Sequence, residues 1–403
     1  MSKFILRDSR PNIKQPEHNE SILFYLYRKI SLMQVADVLN LLDQWAPLAY
    51  SEDFDNTGLL VGDSKTQVRG IMVSLDTLES VIDEAISEDC NLVVSFHPII
   101  FSGLKSIKTE DYVTRSVVKA IKNDIAIIAI HTALDNMPHG VSAGMAQVLG
   151  LQNTRVLMPK NEVMYKLITY VPHQNAEQLR TALFKAGAGA LGHYEECSFN
   201  VEGTGTFKPI EGAQPTLGQV GKQHSDAETQ VLVSFMRHQK NAIVRALKQA
   251  HPYEEVAYDL IPLNQACPEV GMGLIGTLPS NLSLEDLLKT LKTAFNCGCI
   301  KYSENGPKDI HTVAVLGGSG SFAIDQAKAL GAQVYITADL KYHDYFKGQS
   351  DFTVMDIGHY ESEQFTKDLI VDYLSKKITN FAPSLPIVKV LKSNVKTNPI
   401  SYY

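Results

Sequence analysis

Short apolar runs alternate with amphipathic segments along the first third of the chain. Apolar side chains recur at helical spacing at 33–45 and at 111–123. The runs at 70–75, 91–95 and 125–130 are almost wholly apolar, which is typical of strands covered on both faces. Helices that alternate with such strands predict a parallel sheet with right-handed crossovers.

The pattern changes near Pro159 and changes back after Gly271. The segment between them predicts strand, helix, strand, strand, helix and strand in that order, which is the ferredoxin-like pattern. The predicted elements are a strand at 165–171, a helix at 176–186, alternating hairpin-like content at 195–207 around Gly203, a strand at 229–235, a helix at 240–250 and a strand at 255–261. Because the α/β pattern resumes afterwards, we interpret this segment as an inserted domain.

The last third of the chain returns to alternating elements. Strands are predicted at 312–316, 333–337 and 352–356, and helices at 284–295, 322–330 and 358–374. The predicted fold class is therefore α/β, with two α/β halves and an inserted α+β ferredoxin-like domain. The predicted domains are an N-terminal extension at 1–32, a first α/β half at 33–158, the inserted domain at 159–266, and a second α/β half at 267–403 that completes the first.

The start of the chain differs in character from the remainder. Residues 1–32 are mixed polar and charged, and Met33 opens the first clean amphipathic pattern. We therefore expect 1–32 to be a poorly ordered extension, with either Met1 or Met33 as the native start. The segment has no apolar stretch followed by a small-residue cleavage site, so no signal peptide is predicted. No stretch approaches the ~20 continuous apolar residues of a transmembrane helix.

Composition narrows the class of protein. The chain has 403 residues, a net charge of −7 and a pI near 6.0, which argues against a dedicated nucleic-acid binder with a basic patch. Its five cysteines are an odd number in a long chain, so no disulfide framework is implied. We expect reduced thiols in a cytoplasmic protein, with Cys297 and Cys299 as inert buried thiols.

Several metal-binding side chains lie at predicted strand ends. His97, Asp135 and His359 each lie just past a predicted strand, and ligands bind outside the carboxyl ends of strands in open α/β sheets. His359 and Glu363 are four apart at a helix start, which places both on one face. Imidazole plus carboxylate suits zinc, manganese or iron(II), and a site without thiolate fits a catalytic metal better than a structural one. These residues predict a metal site, the alternative being that each is an ordinary loop or capping group.

A glycine-rich stretch follows the strand at 312–316 and contains Gly317, Gly318, Ser319 and Gly320. Its spacing is formally the dinucleotide fingerprint, but it comes late in the chain and no further complete βαβ half follows. The backbone N–H groups of the stretch could instead hold an anion such as phosphate. A tight turn with close helix–strand packing is an equal alternative.

Two further polar segments have open alternatives. The segment 251–255, with the sequence HPYEE, could bind a ligand or a metal, or could form a turn whose proline and tyrosine pack between domains or subunits. His343 and Asp344 could act as an acid/base pair or support a metal ligand. They could equally form a solvated helix cap.

Six ordered motifs give the chain a resemblance to the family of GTP cyclohydrolase I type 2 homologues, also described as NGG-interacting-factor-three-like. The motifs are FDNTGL at 54–59, SFHPIIF at 95–101, HTALD at 131–135, GGSGS at 317–321, TADLKYH at 337–343 and GHYESE at 358–363. The resemblance runs from about Met33 to the end of the chain. With HPYEEVAY at 251–258, the inserted domain is similar to the PII and CutA-type trimeric modules of the family's long form.

The resemblance implies a two-metal centre in a central cavity between the α/β halves, and a toroidal homohexamer built as a dimer of trimers. Carried over by position, the metal ligands are His97, Asp135, His359 and Glu363. The chain departs from the family at Phe96, where the first of two adjacent histidines is usual. Phenylalanine cannot bind a metal, so we expect one or two divalent metals per chain, with zinc the expected ion and manganese or iron the alternatives.

The family name carries an activity, the opening of the guanine ring of GTP. The resemblance therefore implies a metal-dependent hydrolase acting on a nucleotide or a related heterocycle, in which a metal lowers the pKa of bound water from about 15.7 toward 7. The alternative is a non-enzymatic metal-binding or regulatory ring assembly whose insert senses a small ligand. The acidic net charge disfavours a ring that threads nucleic acid, and no membrane partner is expected.

Overall fold

The computed structural model describes residues 33–304, 306–381 and 388–403. The predicted extension at 1–32 lies outside the described residues. Three β-sheets with flanking helices make up the fold, so the predicted α/β class is confirmed. Within the described ranges, no helix is long and apolar enough to cross a bilayer.

Five strands form the first sheet, and the early apolar runs of the sequence supply its centre. The strands are β1 (Gly58–Val61), β2 (Gly70–Ser74), β3 (Leu92–Ser95), β4 (Ala126–Ala129) and β15 (Lys389–Lys392). Their order is β1, β4, β3, β2, β15; β1 is antiparallel to β4 and the other pairs are parallel. Every residue of β2, β3 and β4 is buried, as expected of strands covered on both faces.

Helices cover both faces of this sheet. They are α1 (Val35–Trp45), α2 (Glu79–Ser87), α3 (Tyr112–Lys122) and α11 (Thr366–Phe381). The helices α4 (His131–Asp135) and α5 (Val141–Val148) follow β4, and α5 packs mainly on the second sheet, which is described below. Successive strand residues point to opposite faces. Ile71 and Val73 therefore pack in one cluster with Ile370 of α11, whereas Met72 packs in another with Val81 of α2.

Six strands form the second sheet, which holds most of the last third of the chain. They are β5 (Gln152–Lys160), β10 (Cys267–Leu282), β11 (Lys301–Tyr302), β12 (Ile310–Ser319), β13 (Val334–Ala338) and β14 (Thr353–Asp356). Their order is β11, β14, β13, β12, β10, β5, parallel from β12 to β14 and antiparallel elsewhere. Helices α8 (Leu284–Ala294), α9 (Ile324–Ala329) and the short α10 (His359–Glu363) accompany it. The carboxyl ends of β12, β13 and β14 thus share one edge.

Four antiparallel strands form a third sheet, which lies between β5 and β10 in the sequence and is called the four-stranded unit below. Its elements are β6 (Met164–Pro172), α6 (Ala176–Lys185), β7 (Phe199–Phe207), β8 (His224–Met236), α7 (Lys240–Ala250) and β9 (Tyr258–Leu263). The sheet order is β7, β8, β6, β9, and the chain order is the predicted βαββαβ pattern. Both helices pack on one face, where Leu179 and Ile243 meet Leu167 and Val231. The likeness to PII and CutA-type modules stays a prediction.

Strand β7 corrects one expectation. The prediction of a hairpin around Gly203 is wrong, because β7 continues through Gly203 without a turn. This strand pairs with β8 along its whole length. A Cβ at Gly205 would lie 2.1 Å from a carboxylate oxygen of Glu228. The glycine at 205 therefore makes room for a side chain of the neighbouring strand and does not form a turn.

Candidate metal centre

Two neighbouring strands of the first sheet end at the candidate site. β3 leads to His97, and β4 leads to His131, the first residue of α4. The amide of His97 donates to the Leu75 carbonyl at 2.9 Å, and the amide of His131 donates to the Phe96 carbonyl at 3.0 Å. These bonds extend the parallel ladder by a residue or two beyond the strands. Both imidazoles consequently lie at the carboxyl edge of the sheet, with ring centroids 5.3 Å apart.

The second sheet delivers the other side of the site. β14 is followed by Gly358, which adopts φ +96° just before α10, a conformation that favours glycine. A Cβ there would lie 2.3 Å from Oε2 of Glu361. This entry aims His359 and Glu363, one turn apart on α10, toward the first sheet.

His97, His359 and Glu363 converge at the meeting of the two sheets. The Nε2 atoms of both histidines lie 3.1 Å from Oε2 of Glu363, and the ring centroids are 5.4 Å apart. Glu363 is 3% exposed, and its Oε2 takes no aligned hydrogen bond from the described residues. Two imidazole nitrogens and a carboxylate oxygen at such short distances form a donor set that suits a metal cation. This group could bind a metal ion.

An aspartate holds the far nitrogen of each imidazole around the site. A carboxylate only accepts hydrogen bonds, so Nδ1 is the donor in each pair and Nε2 remains for the site. Proteins use this arrangement to orient histidines that bind metals. The pairs are His97 with Asp76 (2.8 Å), His131 with Asp55 (2.8 Å) and His359 with Asp339 (2.7 Å).

Sequence reasoning did not assign these aspartates to the metal site, although the positions of two of them indicated it. Asp76 follows β2 and Asp339 comes directly after β13, and these strands neighbour β3 and β14. Parallel neighbours end at the same edge, so the strand-end rule that selected the histidines also places these carboxylates beside them. Asp55 lies in the loop before β1, where that rule does not apply.

The charges of the cluster are strongly coupled. Burial opposes the protonated form of His97, but the Glu363 and Asp76 carboxylates outweigh it and raise the pKa to about 10. Burial also opposes the protonated form of His359, while Asp339 and Glu363 raise its pKa to about 11. Burial favours the neutral form of Glu363, yet the two histidines hold its pKa well below the usual range. A divalent cation would replace the two protons of this buried group.

Asp135 is the last residue of α4 and lines the same pocket as Glu363. It does not belong to the three residues whose ligand atoms lie within 4.8 Å of one another. Burial, together with the charge of Glu363, raises the pKa of Asp135 well above its usual range. A carboxyl group that is costly to ionise gains most from a nearby cation. The structure thus brings three of the four predicted ligands together and places the fourth on the wall of the same pocket.

Phe96 and His131 occupy another side of the cluster. Phe96 is 0% exposed, and its ring centroid lies 4.9 Å from that of His97 and 5.5 Å from that of His131. Position 96 therefore supplies an apolar wall and no ligand. His131 is the imidazole that lies beside it.

A pocket of about 620 Å³ opens in front of the cluster and is lined from both sheets. Phe54, Phe101 and Phe322 line it, and each is at least 50% exposed. Lys160 and Glu52 form an ion pair in its wall, with Nζ 2.5 Å from Oε1. The volume and the mixture of aromatic and polar side chains are typical of a small-molecule site.

Gly317, Gly318 and Ser319 belong to β12, and Gly320 connects this strand to a short 3-10 helix at Ser321–Ala323 that precedes α9. The Gly318 amide donates to the Ser362 hydroxyl at 2.9 Å, and the Gly318 carbonyl accepts from the Thr337 hydroxyl at 3.0 Å. A Cβ on Gly318 would lie 2.3 Å from Oε1 of Glu363. These contacts favour the close-packing alternative over the dinucleotide one, and the anion role stays a prediction.

The remaining polar candidates make structural contacts. Nε2 of His251 donates to the Tyr170 carbonyl at 2.8 Å, and its Nδ1 accepts from the Tyr253 amide at 3.1 Å. Neither nitrogen of this imidazole is therefore free for a metal. Asp344 accepts from the Lys341 amide at 2.8 Å, as a helix cap does.

The two late cysteines differ in exposure. Cys297 is buried, and burial raises the pKa of its thiol to about 12, as expected of an inert thiol. Cys299 is exposed, so the expectation of two buried thiols is wrong for this residue. The chain passes from the core to the surface within this short turn.

Comparisons with known sequences cover nearly the whole described chain. A family model described as Duf34/NIF3 (NGG1p interacting factor 3) matches residues 33–399. A GTP cyclohydrolase 1 type 2 homolog of Bacillus subtilis (strain 168) is 37% identical, over 91% of this chain and 97% of the relative. A protein of the same name from Halalkalibacterium halodurans is 38% identical, over 91% of this chain and 98% of the relative.

Solved structures agree with the sequence comparisons. A Bacillus cereus protein related to NIF3 has a TM-score of 0.76 at 33% identity, over 93% of this chain and 100% of that one. A Staphylococcus aureus protein has a TM-score of 0.70 at 30% identity, over 93% and 100%. The resemblance carried by the six motifs is therefore confirmed, and the chain belongs to the Duf34/NIF3 family.

Proposed function

We propose that this chain is a metal-dependent hydrolase acting on a nucleotide or a related heterocycle. One observation carries the proposal: two imidazoles oriented by aspartates aim Nε2 at the buried Glu363 carboxylate, beside a pocket of small-molecule size. Imidazole plus carboxylate without thiolate is the donor set of a catalytic zinc, manganese or iron(II) site. The names of the two bacterial relatives, GTP cyclohydrolase 1 type 2 homolog, support a guanine nucleotide as the first substrate to examine.

Some residues of the site would bind the metal, and others would orient the metal ligands. His97, His359 and Glu363 would hold the ion, with Asp135 as the fourth ligand and zinc as the expected metal. A bound divalent metal supplies hydroxide near neutral pH, because it lowers the pKa of its water from about 15.7 toward 7. The aspartates bonded to Nδ1 keep each imidazole in one tautomer and one orientation. Phe96 excludes water from one side of the cluster.

The pocket offers a place for a planar heterocycle. Phe54 and Phe101 line it from the first half, with ring centroids 6.3 Å apart, and Phe322 lines it from the second half. Aromatic side chains stack on nucleobases with a contribution of about 1–3 kcal/mol per base. Lys160 supplies a cation that could exchange Glu52 for a substrate phosphate.

Metal content and turnover test the proposal. The purified protein should hold at least about one transition metal per chain and should hydrolyse a member of a guanine and adenine nucleotide panel. Glu363→Gln keeps the shape of the side chain but removes its charge, so both metal and turnover should be lost. Glu361→Gln is the matched control, because Glu361 is a buried glutamate of the same helix that bonds Asn398 instead.

The outcomes separate the two parts of the proposal. A metal-free protein that loses nothing on Glu363→Gln would contradict the metal site. A protein that binds metal through Glu363 but hydrolyses no nucleotide would contradict the hydrolase and leave the metal site standing.

The second candidate function is a non-enzymatic metal-binding or regulatory ring with a ligand-sensing insert. Phe96 favours it, because a buried phenylalanine stands where the family resemblance leads us to expect a ligand. In both functions we propose a cytoplasmic homohexamer, a dimer of trimers, with the α/β halves around a central metal cavity and the four-stranded unit as a PII/CutA-like insert. Native mass spectrometry tests the assembly. Doubled metal content in Phe96→His would support a lost second metal, and unchanged content would contradict it.

A further inference from the structure

A second pocket, also of about 620 Å³, lies in the four-stranded unit. It shares no lining residue with the pocket in front of the candidate metal centre. The end of β7, the segment after it and the corner after α7 enclose this space. Phe207, Ile210, Leu217 and Tyr253 give it an apolar and aromatic lining. Its volume lies within the range of small-molecule sites.

Glu228 of β8 places a carboxylate in this pocket. Its Oε1 accepts the Tyr253 hydroxyl at 2.8 Å. Its Oε2 lies over Gly205, whose missing side chain leaves room for it. Among the residues that the structure describes, no lysine, arginine or histidine forms an ion pair with Glu228. The carboxylate is thus held in place without a cation.

The tyrosine that holds Glu228 is itself fixed by the corner after α7. His251 is 7% exposed and bonds the Tyr170 carbonyl of β6 and the Tyr253 amide through its two ring nitrogens. Burial lowers the pKa of His251, so the imidazole is neutral near pH 7 and does not neutralise Glu228. The corner therefore orients the carboxylate and leaves its charge uncompensated.

Two hydrogen bonds tie the segment after β7 to the same corner. The Thr216 hydroxyl donates to the Pro252 carbonyl at 2.8 Å, and the Gln214 amide donates to Oε1 of Glu254 at 2.9 Å. This segment carries Ile210, which is 73% exposed at the pocket. The segment after β7 is thus attached to the corner after α7 by specific hydrogen bonds.

The lining combines excess negative charge with apolar surface. Glu228, Glu254 and Glu255 line the pocket together with a single lysine, Lys208. We propose that this pocket binds a small organic cation, an ammonium or amidinium group on a flat apolar body, with its charge against Glu228 and its body against Phe207. The charged hydrogen bond to a carboxylate fixes the head group, and the aromatic ring favours a cation beside its face.

Benzamidine is the probe, because it carries an amidinium on a flat ring, and benzamide is its neutral counterpart. Calorimetry on the full chain should show benzamidine binding and at least about tenfold weaker benzamide binding, since only benzamidine can form a charged hydrogen bond with the carboxylate. Glu228→Gln should lower the affinity for benzamidine to the affinity that the unaltered chain has for benzamide. Gly205→Ala keeps the charge but displaces the carboxylate, so it should weaken benzamidine as well.

Glu202→Gln is the matched control, because Glu202 is a strand glutamate of β7 whose side chain is 83% exposed and lies outside the pocket. This variant should bind benzamidine as the unaltered chain does, and unfolding temperatures of all variants show that they fold. Equal binding of benzamidine and benzamide, or unaltered binding in Glu228→Gln, overturns the proposal. A change of oligomeric mass in Glu228→Gln without any benzamidine binding also overturns it, since the carboxylate would then serve a contact between copies.

Discussion

The candidate metal centre and the corner at His251 use histidine for opposite purposes. In the metal centre, each imidazole bonds an aspartate through Nδ1 and presents Nε2 to its neighbours. At the corner, backbone groups occupy both nitrogens of His251. The pKa of His97 is raised to about 10, whereas burial lowers that of His251. Whether a histidine can bind a metal therefore depends on whether one ring nitrogen is left without a backbone partner. Burial and the surrounding sequence motif matter less.

The pH dependence of metal binding should be the largest consequence of this difference. His97 and His359 have pKa values raised to about 10 and about 11 without metal, so both are protonated at neutral pH and must release their protons to an incoming ion. Metal affinity should rise with pH by up to about 100-fold per unit, with about two protons released per ion. Calorimetry in buffers of different ionisation enthalpy measures the number of protons released per metal ion. An affinity that does not change with pH would contradict the protonated cluster.

Asp339→Asn should have the next largest effect. The substitution removes the charge that orients His359 and lets an amide N–H face Nδ1, which favours the wrong tautomer. Loss of such a partner costs about 10–100-fold in metal affinity, which competition with a chromophoric chelator measures. Asp325→Asn, at an exposed aspartate that pairs with Lys347, is the control and should bind metal normally. An equal effect of both variants would sink the idea.

Asp135→Asn should stabilise the metal-free protein. A group whose folded pKa is raised contributes stability below its unfolded pKa and loses it as pH rises through the folded pKa. Asp135 is such a group, because burial and Glu363 disfavour its charge. Its replacement by an uncharged amide should therefore raise the unfolding free energy at neutral pH, and this gain should become smaller as the pH falls and the unfolded aspartate is protonated. Thermal unfolding in a chelator measures this, and a lower melting temperature would argue against it.

His251→Gln should have the smallest effect. It removes two hydrogen bonds that contribute about 1 kcal/mol each, so the four-stranded unit should unfold at a slightly lower denaturant concentration. Metal content should not change, because both nitrogens of His251 are already occupied. Metal analysis of the variant decides the point: a loss of metal would erase the distinction between the two histidine environments.

Strand order accounts for what could be predicted at the metal centre. His97 and His359 were found because parallel strands that share a sheet end at one edge, and periodicity is enough to locate those ends. Glu363 followed from helical spacing. Asp55 could not be found in this way, because the loop before β1 has no periodic pattern that fixes its path. The approach of two separate sheets, which brings His359 to His97, also depends on packing between distant parts of the chain.

Glycines were the hardest residues to interpret from sequence. Gly203 suggested a turn, although the strand continues through it, and Gly318 suggested a ligand loop, although a side chain there would meet Glu363. At Gly205 and at Gly318, the residue opposite the glycine explains why a side chain is absent: Glu228 in the first case and Glu363 in the second. That residue belongs to another element, so the local pattern carries no information about it.

The two imidazoles and the carboxylate of the metal centre come from opposite ends of the described chain. His97 follows β3, whereas Glu363 precedes the last helix, after which the chain returns to the first sheet and pairs β15 with β2. A ribosome makes the first sheet's central strands long before it makes Glu363. The growing chain therefore cannot hold an ion here until α10 has been made. Metal loading would then mark molecules that contain both sheets, and fragments ending before α10 would stay empty.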